Sequence, residues 1–279
     1  MQNATPNLRP IKRGKLRLFC GRAAYTMARY GLWASGRYKF AKKQQQTPLP
    51  YQWAAHATPL LRQLKDVDMQ YQYNKIINLK LAVQQINGLV LGPGQTFSYW
   101  KCIGKPTARK GYVNGMVLHY GSFGPGIGGG LCQLSNLLFW ISIHTPLTVV
   151  ERYRHSFDVF PDAGRTQPFG SGATCVYPYR DLMVRNDTSE AFQLLVQVGS
   201  QNLQGEWRSS APPTCQYKIT EYNHRMQREY WGGFSRHNQL YRQQFSLEGD
   251  LLNEEFLTEN HALMMYSPFL EGGVCREKE

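Results

Sequence analysis

The residues best suited to do chemistry in this sequence are a cysteine and a histidine. Cys132 stands in GPGIGGGLCQLS, residues 124–135, where five glycines fill the seven positions from 124 to 130. Glycine at that density marks backbone conformations closed to other residues, or a close approach to the main chain. An apolar run, LCQLSNLLFWISIHTP, follows and stops at Pro146, which predicts a buried helix over residues 131–143 with Cys132 in its first turn. Orphan N–H groups and the positive end of the helix dipole favour an anion there, so the sequence predicts a thiolate with a depressed pKa. Glycine amides free of side chains could approach a substrate carbonyl as oxyanion donors. A phosphate loop is excluded, because the Walker lysine and Ser/Thr are missing.

A cysteine nucleophile needs a base, and His155 in VVERYRHSFDV follows a predicted strand that would pack beside the cysteine helix. His119 in LHYG is a reserve candidate, and the other histidines lack a cysteine or glycine-rich neighbour. A packed thiol and a satisfied structural histidine are the competing readings of the pair. The six cysteines form no CxxC pair and have no histidine at ligand spacing, so neither a metal site nor a cofactor is expected.

The elements that must hold Cys132 and His155 follow a mixed pattern. NKIINLKLAVQQING, residues 74–88, carries Ile76, Leu79, Val83 and Ile86 on one face and ends at Gly88, as an amphipathic helix does. LVLGPGQTFSYW reads as two short strands about a Pro-Gly turn, and GMVLHYG, LTVVERYRH, ATCVYPY, LMVRN and AFQLLVQVG as further strands. The fold class is therefore α+β, a mixed sheet with a glycine-loop-to-helix element carrying Cys132. The expected organisation of the 279 residues is a basic amphipathic arm over 1–43, a linker and entry segment over 44–73, one domain over 74–200, and an extension over 201–279 packed on it.

The formal charge of +13 is unevenly spread. Residues 1–65 hold 13 Lys and Arg and no acid, whereas the remaining 19 basic residues are matched by all 19 acidic ones. In the arm, Leu16, Phe19, Ala23, Met27 and Tyr30 recur at steps of three and four, with Lys15, Arg22 and Arg29 toward another side. Such a helix either docks on its own body or lies on an anionic membrane surface. Nucleic acid is not an expected partner, since the body does not interleave basic and aromatic residues. Neither a signal peptide nor a spanning helix is legible, so the expected location is the cytoplasm, at the inner membrane surface.

From residue 74 to about 200 the combination of PGQTFS, KGY, GGGLCQLS, ERYRHS and DLMVRN resembles the VanW family, which is associated with B-type vancomycin resistance. NQLYRQQF and ENHALMMYSPFL resemble its stand-alone members. The resemblance implies a bacterial cell-envelope role with a peptidoglycan peptide stem or precursor as partner. For exported relatives it implies L,D-transpeptidase-like chemistry, with an acyl-enzyme formed on a stem peptide and passed to an amine or water. Carried over by position, Cys132 is the nucleophile and His155 the base, with Gly128, Gly129, Gly130 and the amide of Gln133 as oxyanion donors. The Gln133 side chain and Ser135 would orient substrate or cap the helix. This chain has Ser171-Gly172 where the family carries an acid, which leaves Asp181 and Asn186 as candidates to orient His155. The alternative implied is a non-catalytic accessory protein whose glycine loop binds a peptide carboxylate.

Overall fold

The computed structural model describes residues 13–61, 68–119, 122–159 and 167–267. In chain order the elements are α1 (Lys15–Ala34), β1 (Lys39–Phe40), β2 (Tyr51–Pro59), α2 (Met69–Gln84), β3 (Leu89–Leu91), β4 (Gln95–Ser98) and α3 (Tyr99–Ile103). Then come β5 (Asn114–His119), β6 (Ser122–Ile127), α4 (Cys132–Ser142), β7 (Thr148–Glu151), β8 (Phe157–Asp158), β9 (Met183–Arg185), β10 (Phe192–Val198), β11 (Asn202–Ser209), β12 (Gln216–Arg228), β13 (Phe234–Phe245) and β14 (Leu251–Met264). The architecture is α+β: three four-stranded sheets, ordered β1-β4-β9-β7, β2-β11-β10-β3 and β12-β13-β14-β8, with β5-β6 as a separate hairpin.

The apolar period of α2 buries Leu79 and Val83, and the helix starts at Asp68, whose carboxylate accepts from the Gln70 amide at 2.8 Å. That bond satisfies one of the orphan donors of the first turn. The Cys132 helix forms over almost the residues the sequence indicates and lies on β2 and β11. Gly205 in β11 admits the helix, since a Cβ there would come within 3.1 Å of Leu137. Buried Trp207 closes the contact by donating its indole N–H to Ser142 Oγ at 3.0 Å, so a large apolar ring is buried without an unsatisfied donor.

Three expectations need correction. The segment from 44 onward is not a free linker: Gln45 donates its amide to Gly88 at 2.8 Å, and β2 pairs along β11 as an edge strand. The ATCVYPY run forms no strand, only an isolated bridge between Val176 and Arg180. The glycine-rich stretch is not all loop either, because Gly124 and Gly126 belong to β6, paired with β5. The third sheet, which holds most of the extension beyond residue 200, joins the body through the short parallel pairing of β8 with β14.

Candidate functional site

Glycines 128–130 are used for packing. A Cβ on Gly129 would lie 2.1 Å from the carbonyl carbon of Gly115 in β5, so the turn and the strand meet backbone to backbone. Gly130 has φ +89° and packs on the stem of Lys75, which a Cβ would approach to 2.2 Å. The amides follow suit: Gly128 donates to Val113, Gly129 to Gly126 and Gly130 to Met116, each at 3.0 Å, and Gln133 to Gly130 at 3.1 Å. The four expected oxyanion donors are therefore already hydrogen-bonded. Two amides that the sequence did not single out differ: Leu131 N–H donates to no acceptor among the described residues, and that of Cys132 faces its own sulfur.

The thiol itself departs from expectation. Burial pushes the Cys132 thiol above its ordinary value, although the backbone N–H groups of Cys175 and of Cys132 itself favour the thiolate. Desolvation outweighs the helix-terminus effect because the charged form loses much of its water, while two N–H groups replace only part of it. Cys175, unremarked in the sequence, is the neighbouring thiol and is pushed up still further by burial. Both are free cysteines; Cys275 lies outside the described residues.

Burial pushes His155 down to about 4, and the positive charges of Arg154 and Arg180 act in the same direction. Cys132 does not figure among the groups that act on it, nor does His155 among those that act on Cys132. With its pKa at about 4 the imidazole is uncharged at neutral pH. The two proposed orienters serve elsewhere. Burial raises Asp181 to about 7 even though its carboxylate accepts from Ser98 Oγ at 2.5 Å and from the amides of Trp100 and Leu182 at 2.9 Å. Asn186 donates to the carbonyls of Leu91 and Glu190 at 2.9 and 2.6 Å, which ties β9 to β3.

Gln133 and Ser135 act as struts. The Gln133 side chain donates to Thr58 Oγ1 at 2.8 Å and to the Pro59 carbonyl at 2.9 Å, fixing α4 to β2. Ser135 Oγ donates to the Ala173 carbonyl at 2.7 Å and holds the segment that carries Cys175. Their neighbours are 38 to 75 positions away in the chain, which no local pattern reveals.

A cleft of about 390 Å³ opens at the other end of α4, lined among others by Phe139, Ile143, Leu147, Arg152, Arg242 and Thr258. Neither Cys132 nor His155 lines it. Its two acids are already paired, Glu255 with Arg242 and Glu151 with Arg29. Arg152 has no such partner among the described residues: it donates to the Gly172 carbonyl at 2.9 Å, Thr258 Oγ1 at 2.9 Å, Asn260 Oδ1 at 3.0 Å and the Gly170 carbonyl. Its guanidinium also lies 4.8 Å from the centre of the Phe139 ring. Burial alone lowers its pKa, to about 10, so the cleft wall carries a positive charge with only neutral groups around it. Among the described residues no group of His, Cys, Asp and Glu could hold a metal ion, and no helix is long and apolar enough to cross a membrane.

The fold and this site define an α+β protein with a half-buried thiol at one end of a central helix and a cleft walled by Arg152 at the other. Residues 74–208 match the family model described as VanW like protein. The chain is 33% identical over 228 residues to the vancomycin B-type resistance protein VanW of Enterococcus faecalis, covering 81% of this chain and 82% of that protein. It is also 35% identical over 82 residues to YoaR of Bacillus subtilis, covering 29% of this chain and 27% of YoaR. The chain belongs to the VanW family. No solved structure matches it.

Proposed function

We propose that this protein serves glycopeptide resistance at the bacterial cell envelope as an accessory protein that binds peptidoglycan stem peptides, or their precursors, in the cleft beside α4. Resistance to glycopeptides is carried by the name of its Enterococcus faecalis relative. The single observation behind the binding site is Arg152, a half-buried guanidinium whose hydrogen-bond partners on the wall of the cleft are all neutral. A buried cation without an anion is costly, and a peptide carboxylate entering the cleft would relieve that cost. Phe139, Ile143 and Leu147 supply the apolar wall for the methyl groups of a stem ending in alanine. The glycine loop is not the carboxylate site in this reading, because its amides are spent on the β5-β6 hairpin and the turn itself.

Calorimetric titration with a stem pentapeptide tests the proposal. The free C-terminal carboxylate should bind at least about tenfold more tightly than the same peptide amidated at its C-terminus, since each lost charge-assisted bond is worth about 1.5–3 kcal/mol. Phe256→Ala trims the exposed rim of the cleft and should weaken binding without lowering the melting temperature. Equal affinity for the two peptides, or an unchanged affinity in Phe256→Ala, would remove the cleft from the reaction.

A second reading, thiol-dependent acyl transfer by Cys132 with His155 as base, has one observation in its favour. The Cys132 sulfur sits in the first turn of α4 facing two backbone N–H groups, and the nearby Leu131 amide has no acceptor to give up. Incubation with a tetrapeptide stem followed by intact-mass analysis decides it. An acyl adduct that maps to Cys132 and disappears in Cys132→Ala would replace the binding reading with the catalytic one.

A further inference from the structure

The 20-residue helix α1 is held against the body along one side only. That side is built on Arg29, which is 6% exposed: its guanidinium donates to Glu151 Oε2 at 2.9 Å and to the Tyr179 carbonyl at 3.1 Å, and lies 3.9 Å from Asp181. Trp33 continues the contact four residues on, where its carbonyl accepts from Lys101 Nζ at 3.1 Å. Most of the apolar row read from the sequence faces the other way, while Tyr30 at its end meets the body through its hydroxyl, 3.0 Å from that of Tyr177. Leu16 is 76% exposed, Phe19 71%, Met27 68% and Tyr30 47%, and Ala23 between them is exposed as well. Steps of three and four put these residues on one stripe, roughly 20 Å long at 1.5 Å per residue.

Charge identifies what covers the stripe. Lys15, Arg17 and Arg22 flank it and are exposed, and Arg37, Lys39, Lys42 and Lys43 follow the helix, also exposed. No acidic residue occurs before Asp66, so a second copy stacked on this face would set two wholly basic surfaces against each other. The stripe is also too polar on its flanks for a spanning helix, and α1 does not qualify as one.

We propose that α1 lies flat on an anionic phospholipid bilayer. Leu16, Phe19 and Met27 enter the boundary between headgroups and acyl chains, and Tyr30, bonded to Tyr177, marks where the stripe meets the body. Lys15, Arg17 and Arg22 meet lipid phosphates, as long basic side chains beside an apolar stripe do. The Arg29 clamp then holds the body, with Glu151 and Asp181, at a fixed orientation to the membrane.

Sedimentation of the full chain with vesicles tests this, using phosphatidylcholine alone against equal parts phosphatidylcholine and phosphatidylglycerol. Binding should require phosphatidylglycerol and fall about tenfold or more as salt rises from low to physiological strength, because screening weakens exposed contacts. The double variant Phe19→Asp, Met27→Asp should lose vesicle binding while keeping its melting temperature, since both side chains are exposed. Equal binding to neutral vesicles would overturn the proposal, as would full binding by the double variant. A wild type that binds no vesicles and whose dimer dissociates in the double variant would assign the stripe to a second copy instead.

Discussion

The two ends of α4 make opposite use of their polar groups. At the amino end the loop glycines exist so that backbones can touch; their amides are bonded inward, and burial raises the pKa of the half-buried Cys132 thiol. At the carboxyl end Phe139 and Ile143 open onto a cleft whose wall carries the uncompensated charge of Arg152. Close packing with every donor satisfied fixes a fold, and an unmatched charge beside empty volume is where a ligand gains free energy. The difference teaches that a glycine-rich approach to a helix is not by itself an anion site. What decides is whether its N–H groups still lack acceptors.

The largest effect should come from testing the amino end as a packing device. Gly129→Ala would set a methyl group 2.1 Å from the carbonyl carbon of Gly115, and backbone cannot yield as a side-chain tip can. Destabilisation of about 3 kcal/mol or more is expected, read by urea denaturation. A near-neutral result would mean that turn and hairpin are loosely joined and that the loop amides can be freed for a ligand. Next in size is the carboxyl end. Arg152→Met leaves the carbonyls of Gly170 and Gly172 and the oxygens of Thr258 and Asn260 without their donor, at a cost of about 1–3 kcal/mol. Because the buried charge also goes, the loss should sit at the lower end of that range, and a gain in stability would show that the guanidinium is held there for a ligand.

How much of this could be read from the chain depends on the range of the contacts. The 3.6-residue period of α4 and the apolar runs of β3, β9 and β10 are local signals, and those elements form where the sequence puts them; α2 forms too, but it starts at Met69 and ends at Gln84 instead of spanning 74–88, because the Asp68 cap lies upstream of the apolar period. The state of the Gly128 and Gly130 amides depends on Val113 and Met116, brought alongside by a hairpin, and no local pattern states that. Burial of Cys132 depends likewise on the Cys175 segment, hung on Ser135 by a bond spanning 38 residues. For α1 the helical wheel found both stripe and charges. Which side docks was fixed by Glu151 and Asp181, distant acids that select Arg29 and turn the apolar side outward.

Titration sharpens the comparison further, since His155 and Asp181 shift in opposite senses. His155 falls from 6.5 to about 4 on folding, so its contribution is intact above pH 6.5 and lost as pH falls through 4. Asp181 rises from 3.8 to about 7, so its contribution is intact below pH 3.8 and lost as pH rises through 7. Between these limits the two oppose each other. Asp181→Asn should make the melting temperature climb more steeply from pH 4 to 7, and His155→Gln should flatten or reverse the climb, each by about 2–4 °C. His237, also lowered to about 4, acts in the same direction as His155 and keeps the remaining slope from vanishing.

The smallest effect on stability, and the sharpest on chemistry, concerns Cys132 itself. Replacing it with alanine removes one sulfur from a half-buried position and should cost about 1 kcal/mol or less. Its reactivity is the telling quantity. Cys20 stands exposed on α1, whereas Cys132 is half-buried and its thiol is raised by burial. Each unit of upward shift lowers the thiolate fraction at neutral pH about tenfold. Cys132 should therefore alkylate more slowly than Cys20 in the folded protein, and at the same rate in His155→Gln, because an uncharged imidazole lends the thiolate no positive charge. Mass-resolved labelling with iodoacetamide across pH measures both. If Cys132 reacts first among the cysteines, and slows when His155 is replaced, the amino end of α4 is the reactive end after all. Catalysis would then belong to the glycine turn, and the cleft would hold the substrate only by its tail.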